Sequence, residues 1–528
     1  MRLATASQMR ECDRTTIEEL GLPGIALMES AGQGAARALI ETLTARDLTP
    51  GRADVGVFCG GGNNGGDGFV IARALLAHGY EVRVYLLSPR GRVQGDAAVN
   101  LALLERIIAE DLGAGRGLLR DWGEELEAGE ARIGELLGVL PAHSVFIDAM
   151  LGTGLSSAPR SPYAEVIAHL NAASALRFAV DVPTGLCADT GQVLGDEAFE
   201  ADQTVTFALP KVGLWVYPGR AVAGEVTTID IGIPPGVYDK VGLKSWLLTC
   251  QRVGMLLPDR ERTGHKGTFG HVLALGGDQG KVGALALTSV SALRGGAGLV
   301  TAGGARGAVE QLTLTHPEIM TAAALDEGPG AWAALIENKD VIAIGPGLGT
   351  SERAAALLLW LLAEAERPLV LDADALNIVA MGNTPALIEA AHRVPVVLTP
   401  HPGELGRLLG SSSREVVNHP LQSAQQFAAE TGCVVVSKMA STVIAHPEGH
   451  TAVNSSGNPG MGTAGSGDVL TGLVASLIGQ GLDPWEAAQA AVFVHGLSGD
   501  LAGAALGERS LIASDLIRFY PEAFRACS

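Results

Sequence analysis

A chain of 528 residues is too long for one hydrophobic core and predicts two or three domains. Its apolar content of 47% is ordinary for a folded protein, whereas 70 glycines are roughly twice the usual share and, lacking a collagen-like period, predict many tight turns and ligand loops. A net charge of −20 argues against nucleic acid or an anionic membrane surface as a partner. The six cysteines (Cys12, Cys59, Cys187, Cys250, Cys433, Cys527) are scattered, with no C-x-x-C. They fit a reducing cytoplasm and indicate neither zinc nor a disulfide framework. The first twenty residues have no secretory apolar region, and no apolar run approaches the ~20 residues that span a bilayer. The expectation is a soluble, cytoplasmic protein with no membrane or nucleic-acid partner.

In chain order, strand candidates fall at Val55–Cys59, Val82–Leu87, Val145–Ala149, Phe178–Val182, Thr204–Ala208 and Val226–Ile231. Helix-like stretches between most of them predict a largely parallel sheet with crossover helices. An acidic, glycine-bearing insert at about 111–135 reads as a surface helical excursion. Ile233-Pro234-Pro235-Gly236 closes the series, and 236–254 reads as a connector. A second series follows at His271–Leu275, Leu299–Ala302, Val341–Ile344, Leu369–Leu371, Val396–Leu398 and Val434–Val436. It ends in helical stretches near Asp468–Gly479, Pro484–Leu506 and Leu511–Tyr520. The halves share no repeat, so two different α/β domains are expected.

The first series carries GGGNNGGDG from Gly60 to Gly68, between a strand and a helix-like stretch from Phe69 to His78. A strand, a glycine-dense turn and a helix N-terminus make an anion site, because glycine lets the backbone approach a ligand. Gly60, Gly62 and Gly65 satisfy G-x-G-x-x-G, but the next strand ends in Ser88-Pro89-Arg90. The carboxylate that reads ribose hydroxyls is therefore missing. Two further clusters lie at strand ends, Asp148–Gly154 and Asp181–Gly185. Each alone could be a helix cap and a turn; three on one sheet edge point to a ligand site. Oxygen donors from Asn64, Asp148 and Thr184 suit a hard cation.

In the second series, Asn458 to Gly472 reads NPGMGTAGSGDVLTG. Amides of Gly465, Ser466 and Gly467 at a helix start would stabilise a phosphoryl group in transfer, and Asp468 could take a proton from an attacking hydroxyl. The bland alternative for Asp468 is a carboxylate favouring the helix dipole. Gly276–Lys281 has the wrong spacing for a P-loop and is followed by Val282. His401 between two prolines is either a satisfied loop residue or a ligand. Asp372 and Asp374 are either a paired-carboxylate site or, for Asp374, a helix cap.

Together, GNNGGDG, DAMLGTGL and DVPTG resemble the NAD(P)H-hydrate epimerase domain over residues 1–235. The resemblance implies a Rossmann-like three-layer fold and a potassium ion near Asn64, Asp148 and Thr184. It implies a hydrated nucleotide, NADHX or NADPHX, against Asn63, Asn64, Gly65, Gly66, Asp67, Gly152, Thr153, Gly154, Leu155, Ser156, Ser157, Ala158 and Asp181. Asp181 is the candidate acid/base for epimerisation at C6. Lys211 is a second candidate, weighed equally against a solvated surface lysine.

HKGTFGHVLALGG from His265, GALAL from Gly283, RGGAGLV from Arg294, GPGLG from Gly345, LDADALN from Leu371 and TPHPGEL from Thr399 join the Asn458–Gly472 stretch. Over residues 255–522 this set resembles the ADP-dependent NAD(P)H-hydrate dehydratase branch of the ribokinase-like superfamily. It implies that Ala284, Gly347, Gly349, His401 and Asp468 face the hydrate. Lys438, Met439, Ala440, Ser441, Thr442 and Gly467 would hold ADP, with Mg2+. Met439 departs from the Lys-Gly-Ala usual in that family. The combined expectation is a homo-oligomeric bifunctional repair enzyme. The alternative is a ribokinase-like small-molecule kinase with a non-catalytic nucleotide-binding first domain.

Overall fold

Alternation along the first-series strands sorts their side chains onto two faces, as a pleat of period two requires. In β1 (Asp54–Cys59), Val55, Val57 and Cys59 enter one core cluster and Phe58 another. In β4 (Val145–Ala149), Ile147 and Phe146 divide in the same way; in β5 (Leu176–Val180), Phe178 and Ala179 do. With β2 (Glu81–Leu86), β3 (Gly117–Asp121), β6 (Gln203–Phe207) and β7 (Glu225–Ile229) they form a seven-stranded sheet in the order β3-β2-β1-β4-β5-β6-β7. Every pairing is parallel. Helices α2 (Gly24–Ala45), α3 (Asn63–Ala77) and α4 (Gly95–Ala109) cover one face, and α5 (Tyr163–Ala172) the other. This is the three-layer, doubly wound arrangement, and its strand order reverses between β1 and β4, where such folds bind ligands.

The structure is a computed structural model describing residues 1–528, which divide into two units, Arg2–Leu243 and Lys244–Ser528. Three local expectations are revised. Gly117–Asp121, inside the supposed helical excursion, is the edge strand β3, registered Val82↔Gly117 through Leu86↔Asp121; its alternating exposure is that of an edge strand. Helix α3 begins at Asn63, so most of GNNGGDG is the first turns of a helix, and only Gly60–Gly62 is loop. The stretch 236–254 is shared between the units. Helix α6 (Pro235–Val241) seats Val237 in the first core, whereas Leu248 and Val253 belong to the second.

In the second unit β8 (Ser245–Leu247), β9 (His271–Leu275), β10 (Leu299–Gly303), β11 (Met320–Ala322), β12 (Val341–Ile344), β13 (Leu369–Leu371), β14 (Val396–Leu398), β15 (Val434–Ser437), β16 (Val443–Ala445) and β17 (Thr451–Val453) lie in the order β8-β17-β16-β15-β14-β13-β12-β9-β10-β11. The sheet is parallel from β15 to β11, β16 runs antiparallel to both β15 and β17, and β8 pairs parallel with β17. β8, β11, β16 and β17 are additional to the expected strands. All are short, and three residues are too few to show period-two patterning. No helix is long and apolar enough to cross a membrane. Cys250 and Cys527 are free thiols with their Sγ atoms 2.9 Å apart, a proximity that sequence spacing does not reveal.

Helix α10 (Ser466–Gly479) is apolar on nearly every side and buried from Val469 to Ile478, the signature of a helix inside a core. It packs against α7 (Val282–Arg294), where Ser291 Oγ donates to the Val469 carbonyl at 2.6 Å and pairs with Tyr520 OH at 2.8 Å. Leu473→Ala removes a fully buried side chain from this contact. It is expected to lower the unfolding free energy by about 2–5 kcal/mol, read as a shifted denaturant midpoint.

Candidate functional sites

The first site lies where β1 and β4 diverge. Gly60 N–H donates to Ala149 O at 3.1 Å, tying the loop after β1 to the end of β4. Gly62 is the N-cap of α3 and supplies no side-chain cap, so the first amides of a fifteen-residue helix stay open to a ligand. A Cβ at Gly65 would sit 1.9 Å from Gly60 O, so this approach of helix to loop admits only glycine. The cleft that results has a volume of about 560 Å³.

Beneath the loop after β4, Asp148 is fully buried. Its Oδ2 accepts from Thr184 N at 2.7 Å and its Oδ1 from Thr184 Oγ1 at 2.7 Å and Met150 N at 3.1 Å. Burial pushes this carboxyl up to about 6 against those hydrogen bonds, and no cationic side chain offsets it. Asn64 is also buried, and both its Oδ1 and Nδ2 lack any hydrogen-bond partner. A Cβ at Gly152 would lie 3.3 Å from Asn64 Cγ, so Asn64 abuts the turn whose Leu151 N–H donates to Thr184 Oγ1 at 3.0 Å. An orphaned amide oxygen, a threonine hydroxyl and a buried uncompensated carboxylate are donors that fit a hard monovalent cation. No group of three or more His, Cys, Asp or Glu is placed to hold a metal ion.

Asp181 follows β5 with φ at +66°, a left-handed conformation that turns it off the strand. Its Oδ1 accepts from Lys211 Nζ at 2.6 Å and Thr206 Oγ1 at 3.1 Å. Lys211 is not a solvated surface lysine; it is 2% exposed, and the strand-like bridge of Ala4 to Lys211 holds its backbone. Its Nζ also donates to Thr206 Oγ1 and Phe207 O, each at 3.0 Å. Asn63, Asn64, Asp67, Gly152, Thr153, Gly154, Leu155, Asp181 and Lys211 all line the cleft. Gly65 and Gly66 lie buried behind its wall, and Ser156, Ser157 and Ala158 stay exposed outside it. Asp67 is 8% exposed and its carboxyl is held well above the usual carboxylate range, first by burial and then by the Asp181 charge. The sequence reading missed helix α1 (Ala6–Arg14), which adds Met9, Arg10 and Asp13 to the wall. Its signal was Met9, Asp13 and Ile17 at spacings of four, one face of a helix.

The second site is built on the start of α10. Gly465, its N-cap, has φ at +91°, and Asp468 lies in the first turn. His495 is buried behind this turn, with Nε2 3.0 Å from Ser466 O; burial pushes the ring down to about 4, so it is neutral and donates to that carbonyl. Lys438 Nζ donates to Asp372 Oδ1 at 2.7 Å, while Thr471 Oγ1 donates to Asp372 Oδ2 at 2.7 Å. Burial would raise the Asp372 carboxyl, but these partners outweigh it and hold it low. A Cβ at Gly467 would come within 3.0 Å of Lys438 Nζ, so the lysine lies against the helix start. Asp468 is pushed up to about 6, first by burial and then by the Asp372 charge.

Asp374 is not a helix cap. Its Oδ2 accepts from Gly349 N at 2.7 Å and Lys281 Nζ at 3.2 Å, which holds the GPGLG turn, and in that turn a Cβ at Gly347 would lie 3.2 Å from Ala284 Cβ. His401 caps α9 (Pro402–Leu409): its Nδ1 accepts from Gly403 N at 2.9 Å, its N–H donates to Glu404 Oε2 at 2.8 Å, and half its ring stays exposed. Glu404, unmarked in the sequence, is 5% exposed and raised to about 7 by burial. Met439 and Thr442 are joined by Thr442 Oγ1 donating to Met439 O at 3.1 Å, with Ser441 buried and Ala440 exposed between them.

Comparison with known proteins agrees with this division. A family profile described as YjeF-related protein N-terminus matches residues 24–213, and one described as NAD(P)H-hydrate dehydratase matches 272–521. The bifunctional NAD(P)H-hydrate repair enzyme Nnr of Moorella thermoacetica is 41% identical over 533 residues, covering 99% of this chain and 97% of that protein. The Escherichia coli protein of the same name is 34% identical over 525 residues, covering 97% and 92%. Among solved structures, the ADP/ATP-dependent NAD(P)H-hydrate dehydratase of Bacillus subtilis, co-crystallized with ATP/Mg2+, is 30% identical and covers 54% of this chain and 99% of its own, with a TM-score of 0.47.

Thr184→Val strips Asp148 Oδ1 and Leu151 N–H of a buried partner. Leaving such groups unpaired is expected to cost about 1–3 kcal/mol, measured by chemical denaturation of the full chain.

Proposed function

The chain belongs to the bifunctional NAD(P)H-hydrate repair enzymes, and from that membership we propose that each unit carries one of the two activities. The first unit epimerises the R and S hydrates of NADH and NADPH at C6. The observation that carries it is the Asp181–Lys211 ion pair, turned into a cleft of about 560 Å³ beside open helix amides. The amides of α3 and the side chains of Asn63 and Asp67 would hold the nucleotide. Lys211 keeps the Asp181 carboxylate available to take a proton from water adding at C6. Asn64, Asp148 and Thr184 would hold a potassium ion, which would supply positive charge to the site.

The second unit uses ADP to phosphorylate the C6 hydroxyl of the S hydrate and then eliminates phosphate, so that the hydrate and ADP yield NAD(P)H, AMP and phosphate. Hydroxide leaves poorly and a phosphate ester leaves well, which accounts for nucleotide use in a dehydration. The amides of Gly465, Ser466 and Gly467 receive the charge on the moving phosphoryl group, and Asp468 accepts the hydroxyl proton. Lys438, Met439, Ala440, Ser441 and Thr442 hold the nucleotide, and Ala284, Gly347, Gly349 and His401 face the hydrate. Magnesium would accompany the nucleotide phosphates, to which Asp374 would offer a hard oxygen donor.

Supplying both hydrate epimers with ADP and following reduced-nicotinamide absorbance tests the reading. Complete recovery requires both activities, and recovery of half means a silent first unit. A persistent phosphorylated product without absorbance would make the chain a small-molecule kinase instead. Asp468→Asn is expected to cost about 10²–10⁴ in rate. Because Asp468 is raised to about 6, the wild-type rate should fall about tenfold per pH unit below that value as the base is protonated.

Potassium has a readout independent of activity. The folded-state value of Asp148, raised from 3.8 to about 6, means that its contribution to stability is full below the unfolded value and lost as pH rises through about 6. A cation bound to the ionised form restores that loss. Replacing sodium by potassium is therefore expected to raise the melting temperature at about pH 8 and much less at about pH 5. An equal shift in Asp148→Asn would remove the assignment.

A further inference from the structure

Helix α1 contributes two charged side chains, Arg10 and Asp13, to the cleft wall. Met9, Asp13 and Ile17 recur at spacings of four and all face the 560 Å³ cleft. The carboxyl of Asp13 has no hydrogen-bonding partner on its own helix. The adjacent Arg14 is spent elsewhere, on Glu11 at 2.6 Å, Glu19 at 3.1 Å and Glu18 at 3.3 Å. The cleft's buried cation cannot serve it either, because an ammonium has three donors and Lys211 uses all three on Asp181, Thr206 and Phe207 O. Asp67, from α3, faces the same cleft, more than nine-tenths buried and with no hydrogen bond to its carboxyl. Arg10 and Asp96 complete the charged groups of the wall. Four carboxyls, Asp13, Asp67, Asp96 and Asp181, thus share a space whose one buried cation is paired with Asp181 alone among them.

We propose that Asp13 is the second proton-handling group of the epimerisation, the partner of Asp181. The proposal rests on the reading that the first unit epimerises the hydrate. Reversal at C6 needs an acid where the hydroxyl leaves and a base where water returns. The Asp13 carboxylic acid gives its proton to the C6 hydroxyl; the C–O bond breaks, water departs, and the N1 lone pair closes an iminium. Water then adds to C6 from the other face, and its proton passes to the Asp181 carboxylate. One water leaves and one enters, one proton moves from Asp13 to Asp181, and no electrons are transferred. The same pair with its proton exchanged runs the reverse conversion, as an epimerase must. Burial pushes Asp13 up to about 6, with Lys211 pulling it down and Asp181 pushing it up, so it can both give and take a proton near neutrality. Asp67 is held well above the usual carboxylate range, which suits a permanent donor to substrate rather than a cycling acid.

The test follows interconversion of a single purified epimer by full-chain protein, with chromatographic separation of the two epimers. Asp13→Asn is expected to lower kcat by about 10²-fold or more, to change KM by less than about threefold, and to abolish the pH-rate limb near 6. Asp13→Glu should recover a measurable fraction of kcat and keep a limb. Asp67→Asn should act mainly through KM. A wild-type chain that does not interconvert the epimers overturns the epimerase reading and this proposal with it. A wild-type chain that does, beside an Asp13→Asn chain within about threefold of its kcat, or one altered in KM alone with the limb intact, overturns only the assignment of Asp13. Loss of activity in both Asp13→Asn and Asp13→Glu together with a lowered melting temperature would mark a structural role and overturns it equally.

Discussion

Both candidate sites depend on backbone approaching backbone more closely than any side chain allows. At the first, a Cβ on Gly65 would fall 1.9 Å from Gly60 O, so the start of α3 folds directly onto the loop it must serve. At the second, a Cβ on Gly472 would fall 2.1 Å from Thr288 O, which sets α10 hard against α7 and aims its first turn. Helix amides are fixed donors only where the helix cannot shift, and close packing of this kind supplies that rigidity. The glycine excess of the chain is therefore partly a requirement of its sites.

Each site also separates its acids by the same electrostatic device. A lysine is committed to one carboxylate, Lys211 to Asp181 and Lys438 to Asp372, and a neighbouring carboxyl is left without a cation. Desolvation and the nearby negative charge then raise that second carboxyl: Asp13 and Asp67 in the first unit, Asp468 in the second. At the second site two acids of one chemical type are pushed in opposite directions by their surroundings, Asp372 down and Asp468 up. Burying a lysine is costly, and its hydrogen bonds are what make the arrangement tolerable.

Much of this was legible in the residues. The strand ends bearing Asn64, Asp148 and Asp181, and the glycine trio before Asp468, are local signals: a polar residue or glycine where an apolar run stops. The same local reasoning could not decide between alternatives where the determining contact is remote. Lys211 follows a run that ends in proline and reads equally as a site residue or a surface lysine; the bridge to Ala4 and the Asp181 carboxylate decide for the buried position. Asp374 reads equally as half of a carboxylate pair or as a helix cap, and it braces the turn at Gly349. Glu404 gives no signal beyond its place three residues after His401, yet it is buried beside the Lys438 and Asp372 charges.

The sequence by itself determined the two α/β series, the strand-end positions of the polar clusters and the glycines at the helix starts, because periodicity and backbone conformational preference act within a few residues. Only the tertiary structure decided which charges meet. It brought α1 and Asp13 over a cleft more than 160 positions from Asp181, buried Lys211 and left Asn64 without a partner beside the Asp148 turn. Desolvation and Coulomb interaction depend on distance in space, and chain separation does not encode them.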